Sequence, residues 1–346
     1  MRASRCENIV VRRMRCTPQL RLVNVLLMGC LFLVSLAGTG CTFLLPPPRH
    51  ETITLEHICA PVNAPSGNII DQVDDSELEQ YPGLALSHRA IELAKVINAQ
   101  SILAQLAALK QAGEMHSLRF LELRQMLTDR LLLTLFEVSS INAEIVCERD
   151  RADQSADQMD AFDTAMVKRL TLLSIVVAGV ASVVSGGIGL AGGATAVSDA
   201  TEVAGGVVAA LFGGSALFTT SKQPFRHERN LLKEVWDNPK TSRVFSPAIW
   251  RFLQRRHKDQ PRTSQSEIIQ AWRQEGRLGE AGSTGEQERI ALIFGKGGTY
   301  AASELRARAS MLETLEAHIQ LMAEELELFL RELIQIQDYR TVSDSE

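Results

Sequence analysis

The feature that most constrains this chain is an apolar stretch between Leu170 and Thr220. Its two charged residues, Asp199 and Glu202, lie close together near the middle. The arms on either side are uncharged over 29 residues (170–198) and 19 residues (203–221). A helix needs about 20 apolar residues to cross the hydrocarbon of a bilayer. The pattern predicts a helical hairpin over 170–221, with Asp199 and Glu202 at its turn.

Small residues mark the packing face of this hairpin, because small side chains at intervals of four let two helix backbones approach closely. Glycine costs about 1 kcal/mol per position in a helix in water, so the composition favours close packing or lipid. The alternative is a hairpin buried in a soluble bundle, although neither arm shows the polar face of a surface helix. The candidate packing residues are Ala178, Gly179, Ser182, Gly186, Gly189, Gly193, Gly205, Gly206, Ala209, Ala210, Gly213 and Gly214.

The N-terminus has the order of a secretory signal, with a basic segment, a short apolar run and small residues before Cys41. We therefore predict a signal peptide over residues 1–40. This region resembles the bacterial lipoprotein signal, in which the cysteine after the small residues is lipidated and becomes the first residue of the mature chain. The resemblance implies a palmitate-type lipid anchor at Cys41. Because Thr42 is not Asp, it also favours the outer membrane, facing the periplasm. Ordinary cleavage and an uncleaved anchor are the alternatives.

Two cysteines besides Cys41 remain after the signal, Cys59 and Cys147. An exported chain meets an oxidising compartment, where a pair of thiols favours a disulfide. Cys59 and Cys147 are therefore a candidate disulfide, which would tie an irregular segment to a long helix. Two buried free thiols are the alternative.

The most regular pattern lies near the C-terminus, where apolar residues alternate spacings of three and four as in a heptad seam. Such a helix needs long partners, and the helical segments between 84 and 165 are the ones available. The sequence predicts an all-α fold: an elongated bundle of long antiparallel helices with a Gly-rich apolar helical hairpin. The seam residues are Leu312, Leu315, Ile319, Met322, Leu326, Phe329, Leu333 and Ile336.

The chain divides into six segments by composition. Between 84 and 169 we expect one helix ending at Gly113 and a second of about fifty residues, whose acidic part (142–163) forms a solvated face. The segments are the signal (1–40), a lipidated tether and irregular segment (41–83), the long bundle helices (84–169), the apolar hairpin (170–221), a basic short-helix segment (222–300) and a coiled-coil-like C-terminal helix (301–340).

Short helices are predicted in the basic segment from their capping residues. Ser246 is a candidate N-cap followed by Pro247, and Ser264 with Glu267 has the capping-box spacing. This segment also holds Trp236, Trp250 and Trp272. They are interpreted either as anchors at a membrane interface beside basic residues or as ordinary core tryptophans.

We find no motif that carries chemistry. The HExxH and G-x-S-x-G patterns and zinc-type cysteine spacing are missing from the sequence, and residues 294–299 (FGKGGT) lack the phosphate-loop spacing. Acidic residues between 71 and 77 lack the calcium-loop pattern. We therefore predict no catalytic residue, metal or cofactor. Without residues 1–40 the chain keeps 30 basic and 40 acidic residues, which disfavours nucleic acid as a partner.

A long acidic helix, an apolar hairpin and returning helices resemble the architecture of cytolysin-type α-helical pore-forming proteins. The resemblance implies a hairpin that is sheltered in one state and inserted on assembly. Two functions follow. The first is a membrane-anchored lipoprotein with a structural or assembly role at the bacterial cell envelope, whose partners are the lipid bilayer, further copies or other envelope proteins. The second is a pore-forming or translocon component.

Overall fold

The computed structural model describes Cys59, Tyr81 and residues 83–190, 220–227, 229–256 and 262–338. It is mostly helical, and the predicted all-α elongated bundle is confirmed. The described part contains eight helices and two short strands, in the order α1 (His88–Val96), α2 (Gln100–Gln111), α3 (Leu118–Leu190), β1 (Lys222–Arg226), α4 (Leu231–Asp237), α5 (Pro247–Gln254), α6 (Ser264–Gln274), α7 (Thr284–Ile293), β2 (Gly297–Ala301) and α8 (Ala302–Asp338).

Helices α3 and α8 form the spine of the bundle and run antiparallel. Arg306, near the start of α8, bonds to Asp157 of α3, while Gln320 accepts a hydrogen bond from Asn142, further back along α3. The predicted seam is confirmed as far as the side chains are described: its first six members, Leu312 to Phe329, are at most 3% exposed, and Leu333 packs on the core. The side chain of Ile336 lies outside the described residues. The seam forms because alternating spacings of three and four keep one stripe of a helix against its partner.

The expected single helix over 84–113 is instead two helices, α1 and α2. The chain breaks at Asn98, which has φ +55°, a conformation that asparagine tolerates better than most residues. Arg130 of α3 donates to the carbonyl of Asn98, so the break is held against the long helix. The second expected helix is continuous, and α3 runs unbroken from residue 118 into the apolar stretch.

Capping residues set the short helices. The predicted N-cap Ser246 of α5 is confirmed, since its side chain accepts from the N–H of Ile249 and Pro247 follows at the first helical position. The predicted cap of α6 is one residue off. Thr263, not Ser264, accepts from the N–H of Ser266, and Ser264 begins the helix.

A small antiparallel sheet was missed by the sequence patterns, which suggested loop and helix here. Strand β1 pairs with β2, and Phe225 lies opposite Gly298. Gly297 has φ +91°, and a Cβ on it would lie 2.2 Å from the carbonyl oxygen of Phe225. Glycine is therefore required where the strands begin to pair. The strands are separated by about seventy residues of sequence, so no local turn signal marks them.

The tryptophans belong to the core, and the membrane-anchor interpretation is wrong for them. Trp272 is fully buried and donates to the carbonyl of Met311, while Trp250 is 4% exposed and donates to that of Pro239. Trp236 is half-buried and stacks on Phe294, with ring centroids 4.5 Å apart. The indole N–H groups of Trp250 and Trp272 thus find carbonyl partners inside the fold, as buried tryptophans require.

Candidate functional site: the projecting end of α3 and the buried network at its base

The apolar insert leaves and rejoins the bundle at one point. Where the chain returns, the backbone N–H of Ser221 donates to both carboxylate oxygens of Asp163 on α3, at 3.0 Å each. Strand β1 begins at the next residue. A charge-assisted hydrogen bond therefore joins the two ends of the 57-residue segment between Asp163 and Ser221.

Beyond Asp163, helix α3 continues for 27 residues to Leu190, which corresponds to about 40 Å. Four large apolar side chains on this projection are exposed: Leu172 by 54%, Ile175 by 62%, Val176 by 60% and Val180 by 41%. They lie on one side of the helix, because their spacing of three, one and four keeps them within half a turn. The projection thus presents an uncharged apolar face that the described part of the body leaves uncovered.

The predicted hairpin is described only in its first arm. Gly179 is exposed, a Cβ on it would meet no atom within 4 Å among the described atoms, and Ser182 donates to the carbonyl of Ala178. Gly186 and Gly189 belong to the end of α3, without described surroundings. Within the described residues, no helix combines the length and hydropathy that a membrane span requires. The remaining hairpin positions and Cys41 lie outside the described residues: Gly193, Asp199, Glu202, Gly205, Gly206, Ala209, Ala210, Gly213 and Gly214.

Cys59 and Cys147, the candidate disulfide, are bonded in the structure, with Cα atoms 5.4 Å apart. The bond closes a loop across 88 residues of sequence. The disulfide therefore attaches Cys59, in the segment 41–83, to Cys147 in the middle of α3.

About 20 Å or more along α3 from Asp163, within the bundle, two acidic residues predicted to be solvated are buried instead. Glu144 is 3% exposed and Glu148 is 7% exposed. Arg229 approaches Glu144 at 3.3 Å, and Arg151 donates to Glu148 at 2.9 Å. The solvated-face prediction is thus wrong at these two positions, because Arg229 from a distant segment compensates Glu144 and Arg151, three residues along α3, compensates Glu148. Further along the helix, Arg306 pairs with Asp157 and Asp160 at the surface.

A fully buried arginine on α8 completes this network. Arg308 donates to the side-chain oxygen of Asn230 and to the carbonyl of Ile293, each at 3.4 Å, and its guanidinium lies 3.7 Å from Glu148. Burial lowers the pKa of Arg308, while Tyr300 and Glu148 oppose the shift. Arg308 thus holds together α3, α8 and the segment that precedes β2.

His227 and Tyr300 lie beside Arg308, and hydrogen bonds tie both side chains into the fold. Asn230 uses its oxygen for Arg308 and for its own helix α4, so its NH₂ group faces His227 Nδ1 at 3.2 Å. Nδ1 also lies 3.3 Å from the carbonyl oxygen of Gly295, and Nε2 lies 2.9 Å from the Tyr300 oxygen. Tyr300 donates to the carbonyl of Leu292 at 2.9 Å.

Titration behaviour follows from this burial. Desolvation first, and then the Arg308 charge, lowers the pKa of His227 to about 2. Burial raises the pKa of Tyr300 to about 12, against the Arg308 charge. Burial also raises the pKa of Glu144 to about 7, with Arg229 opposing and Glu148 adding to the shift. Both ring nitrogens of His227 are engaged in the fold, so the group holds the sheet in place and offers no free base.

Sequence reasoning missed this network, although one signal for it was present. Leu305 and Arg308 extend the C-terminal seam backwards with the same alternating spacing, and Glu148 lies in the corresponding stripe of α3. A charge at a seam position predicts a buried partner, since an unpaired buried charge is costly.

Comparison with protein-family models, curated proteins and solved structures finds no match to this chain.

Proposed function

We propose that this protein is a lipid-anchored structural component of a bacterial cell envelope, held to the bilayer at Cys41 and by the apolar insert that projects from α3. One observation carries the proposal. Leu172, Ile175 and Val176 are each more than half exposed, and they lie where α3 extends past the bundle. They belong to the insert whose ends meet at Asp163 and Ser221. An isolated apolar projection of this kind needs a second apolar surface.

The magnitude favours lipid over water. The four exposed side chains on the projection present on the order of 350 Å² of apolar surface, worth roughly 9 kcal/mol when it is removed from water. The insert would add a second membrane attachment to the lipid at Cys41, and the disulfide between Cys59 and Cys147 joins the tether to the same helix.

A pore-forming or translocon role is the second candidate. The observation that favours it is that the insert leaves the body at Asp163 and rejoins it at Ser221, side by side. Against it, the described body leaves Leu172, Ile175 and Val176 uncovered, whereas a pore-former in its soluble state shelters its hairpin. The geometry therefore supports constitutive membrane association better than a switch.

The test uses a chain with Cys41→Ser and a strong cleavable signal, so that no lipid holds it. After export, membranes are extracted with alkaline carbonate. We expect the unlipidated chain to stay in the membrane pellet, and the variant with Leu172→Ser, Ile175→Ser and Val176→Ser to be released. Leu321→Ser with Leu328→Ser is the matched control, since both leucines are 49% exposed on α8, and it should stay in the pellet.

Release of the unlipidated chain with its native insert would refute the proposal. Dye leakage from vesicles separates the two candidates. A structural anchor leaves vesicles intact, and a pore-former releases dye only when the insert is native.

A further inference from the structure

A second apolar surface lies on the opposite part of α3, far from the insert. Between residues 118 and 136 the outward side of the helix exposes large hydrophobic side chains, led by Leu118 at 78%, Phe136 at 69% and Leu133 at 61%. The others are Leu121, Met126, Leu132 and Leu135, which are 38–51% exposed. We call this the α3 outer face. It lies opposite the stripe that packs on α8, which includes Leu123, Leu127 and Leu131, each at most 3% exposed.

The apolar area of this face is larger than scattered single exposed residues would give. The seven side chains present on the order of 700 Å² of apolar area, whereas a standard interface buries roughly 800 Å² per partner. Contiguous apolar patches of this size on soluble surfaces mark interaction sites. After Phe136 the outer face changes to small residues, Ser139, Ser140 and Ala143, so the patch has a defined end.

The order of residues along the face is self-complementary. Its central line alternates spacings of four and three, through Leu118, Glu122, Gln125, Asp129, Leu132 and Phe136. If a second copy packs antiparallel with the two-fold axis at the level of residue 127, position 118 faces 136, 121 faces 133 and 125 faces 129. A symmetric dimer requires this kind of self-matching surface.

The polar residues on this line match as well. Gln125 donates to Asp129 of its own chain at 2.6 Å, and its NH₂ group keeps a second hydrogen. In the antiparallel pair that hydrogen faces Asp129 of the second copy, so each buried carboxylate receives two donors. Glu122 of each copy faces Leu132 of the other and keeps its own ion pair with Arg119 at 3.3 Å. Each acidic residue on the line therefore has a partner of its own, which limits the cost of burying its charge.

We propose that the α3 outer face is a homodimer interface, in which two copies of this chain pair antiparallel through residues 118–136. The interface is separate from the apolar insert. Dimers would place two inserts and two lipid anchors on one assembly.

Cysteine cross-linking tests the register in the full-length chain within its native envelope. Chains with Leu118→Cys are co-expressed with differently tagged chains carrying Phe136→Cys, and mild oxidation follows. We expect a disulfide between the two chains and none between two Leu118→Cys chains, whose sulfurs would be about 27 Å apart along the helix. A matched control pair, Leu321→Cys with Leu328→Cys, places thiols on exposed positions of α8 and should stay uncross-linked.

A second measurement tests the energetics on purified full-length protein in detergent. Leu133→Glu with Phe136→Glu sets carboxylates inside each interface, and the dimer dissociation constant should rise by about a hundredfold or more. Leu321→Glu with Leu328→Glu should leave it unchanged. Circular dichroism confirms that both variants keep their helical content.

Three results would overturn the proposal. Cross-links between two Leu118→Cys chains would show parallel pairing. A monomeric wild-type chain, together with cysteine variants that cross-link only after residues 60–80 are removed, would show that the chain covers its own face. Absent cross-links together with weaker vesicle binding of the glutamate variant would assign the face to lipid.

Discussion

The dependence of stability on pH tests the buried network directly, because two of its groups titrate in opposite directions. Burial and the Arg308 charge lower the pKa of His227 from 6.5 to about 2. Burial raises the pKa of Glu144 from 4.5 to about 7, although Arg229 lies beside it. Each unit of pKa difference between the folded and unfolded chain is worth about 1.4 kcal/mol of unfolding free energy.

The two contributions have opposite signs. Unfolded His227 binds a proton below pH 6.5 while the folded ring stays neutral, so its contribution is complete above pH 6.5 and falls on acidification, by roughly 3 kcal/mol at pH 4.5. The contribution of Glu144 is complete below pH 4.5 and is lost as the pH rises to 7, by roughly 3 kcal/mol in total. Between pH 4.5 and 6.5 the two slopes oppose each other, so the two groups together should change the wild-type stability little there.

Single substitutions should uncover each slope. Relative to the wild-type chain, the free energy of unfolding of Glu144→Gln should rise by roughly 3 kcal/mol from pH 4.5 to 6.5, because the opposing Glu144 contribution is gone. That of His227→Gln should fall by roughly 3 kcal/mol from pH 4.5 to 7 relative to the wild-type chain. His88→Gln, at an exposed position, is the control and should keep the wild-type profile. Urea unfolding at half-unit pH steps, followed by the fluorescence of the buried Trp250 and Trp272, measures all four chains.

The comparison between variants separates these two groups from the other carboxylates, which all four chains share. A wild-type profile for both Glu144→Gln and His227→Gln would refute the reasoning, since neither group would then differ between the folded and unfolded states. A variant slope of the opposite sign would show that the group is charged where the structure makes it neutral.

Two further predictions concern backbone constraints. Gly297→Ala should lower the free energy of unfolding by at least about 2 kcal/mol, because its Cβ meets the Phe225 carbonyl at a positive φ. The control Gly276→Ala, at φ +68° in open space, should lower it by only about 1 kcal/mol. Equal losses of the two variants in thermal unfolding would contradict this. Replacing Cys59 and Cys147 by Ser should lower the free energy of unfolding by about 4.5 kcal/mol, because the disulfide closes a loop of 88 residues. A wild-type chain whose urea midpoint is the same with and without reductant would contradict this.

The sequence predicted those parts of the fold that rest on local periodicity. The seam from Leu312 to Phe329 was visible because each residue obeys the helical period, and Ser246 was visible because capping is local. The continuity of α3 followed from a run without proline or glycine between residues 116 and 169.

The parts that were missed depend on contacts between distant segments. Strand β1 contains Pro224 and β2 begins with two glycines, so neither has a strand pattern of its own, and their pairing joins segments about seventy residues apart. Glu144 and Glu148 looked solvated because Arg229 and Arg308, which compensate them, lie 85 and 160 positions further along the chain. Among the candidate site residues, sequence spacing could single out the cysteine pair, but it could not show that Asp163 receives the chain at Ser221.

The unbroken course of α3 has a mechanical consequence. From Leu118 to Leu190 the helix contains no described interruption, so the projecting end is a continuation of the helix that packs in the body. A tilt of about 10° would carry the tip of the 40 Å projection sideways by roughly 7 Å. The same rotation would act on the helix that bears the disulfide, the α8 seam and the α3 outer face. Forces at the apolar tip would therefore be transmitted along the helix as torque.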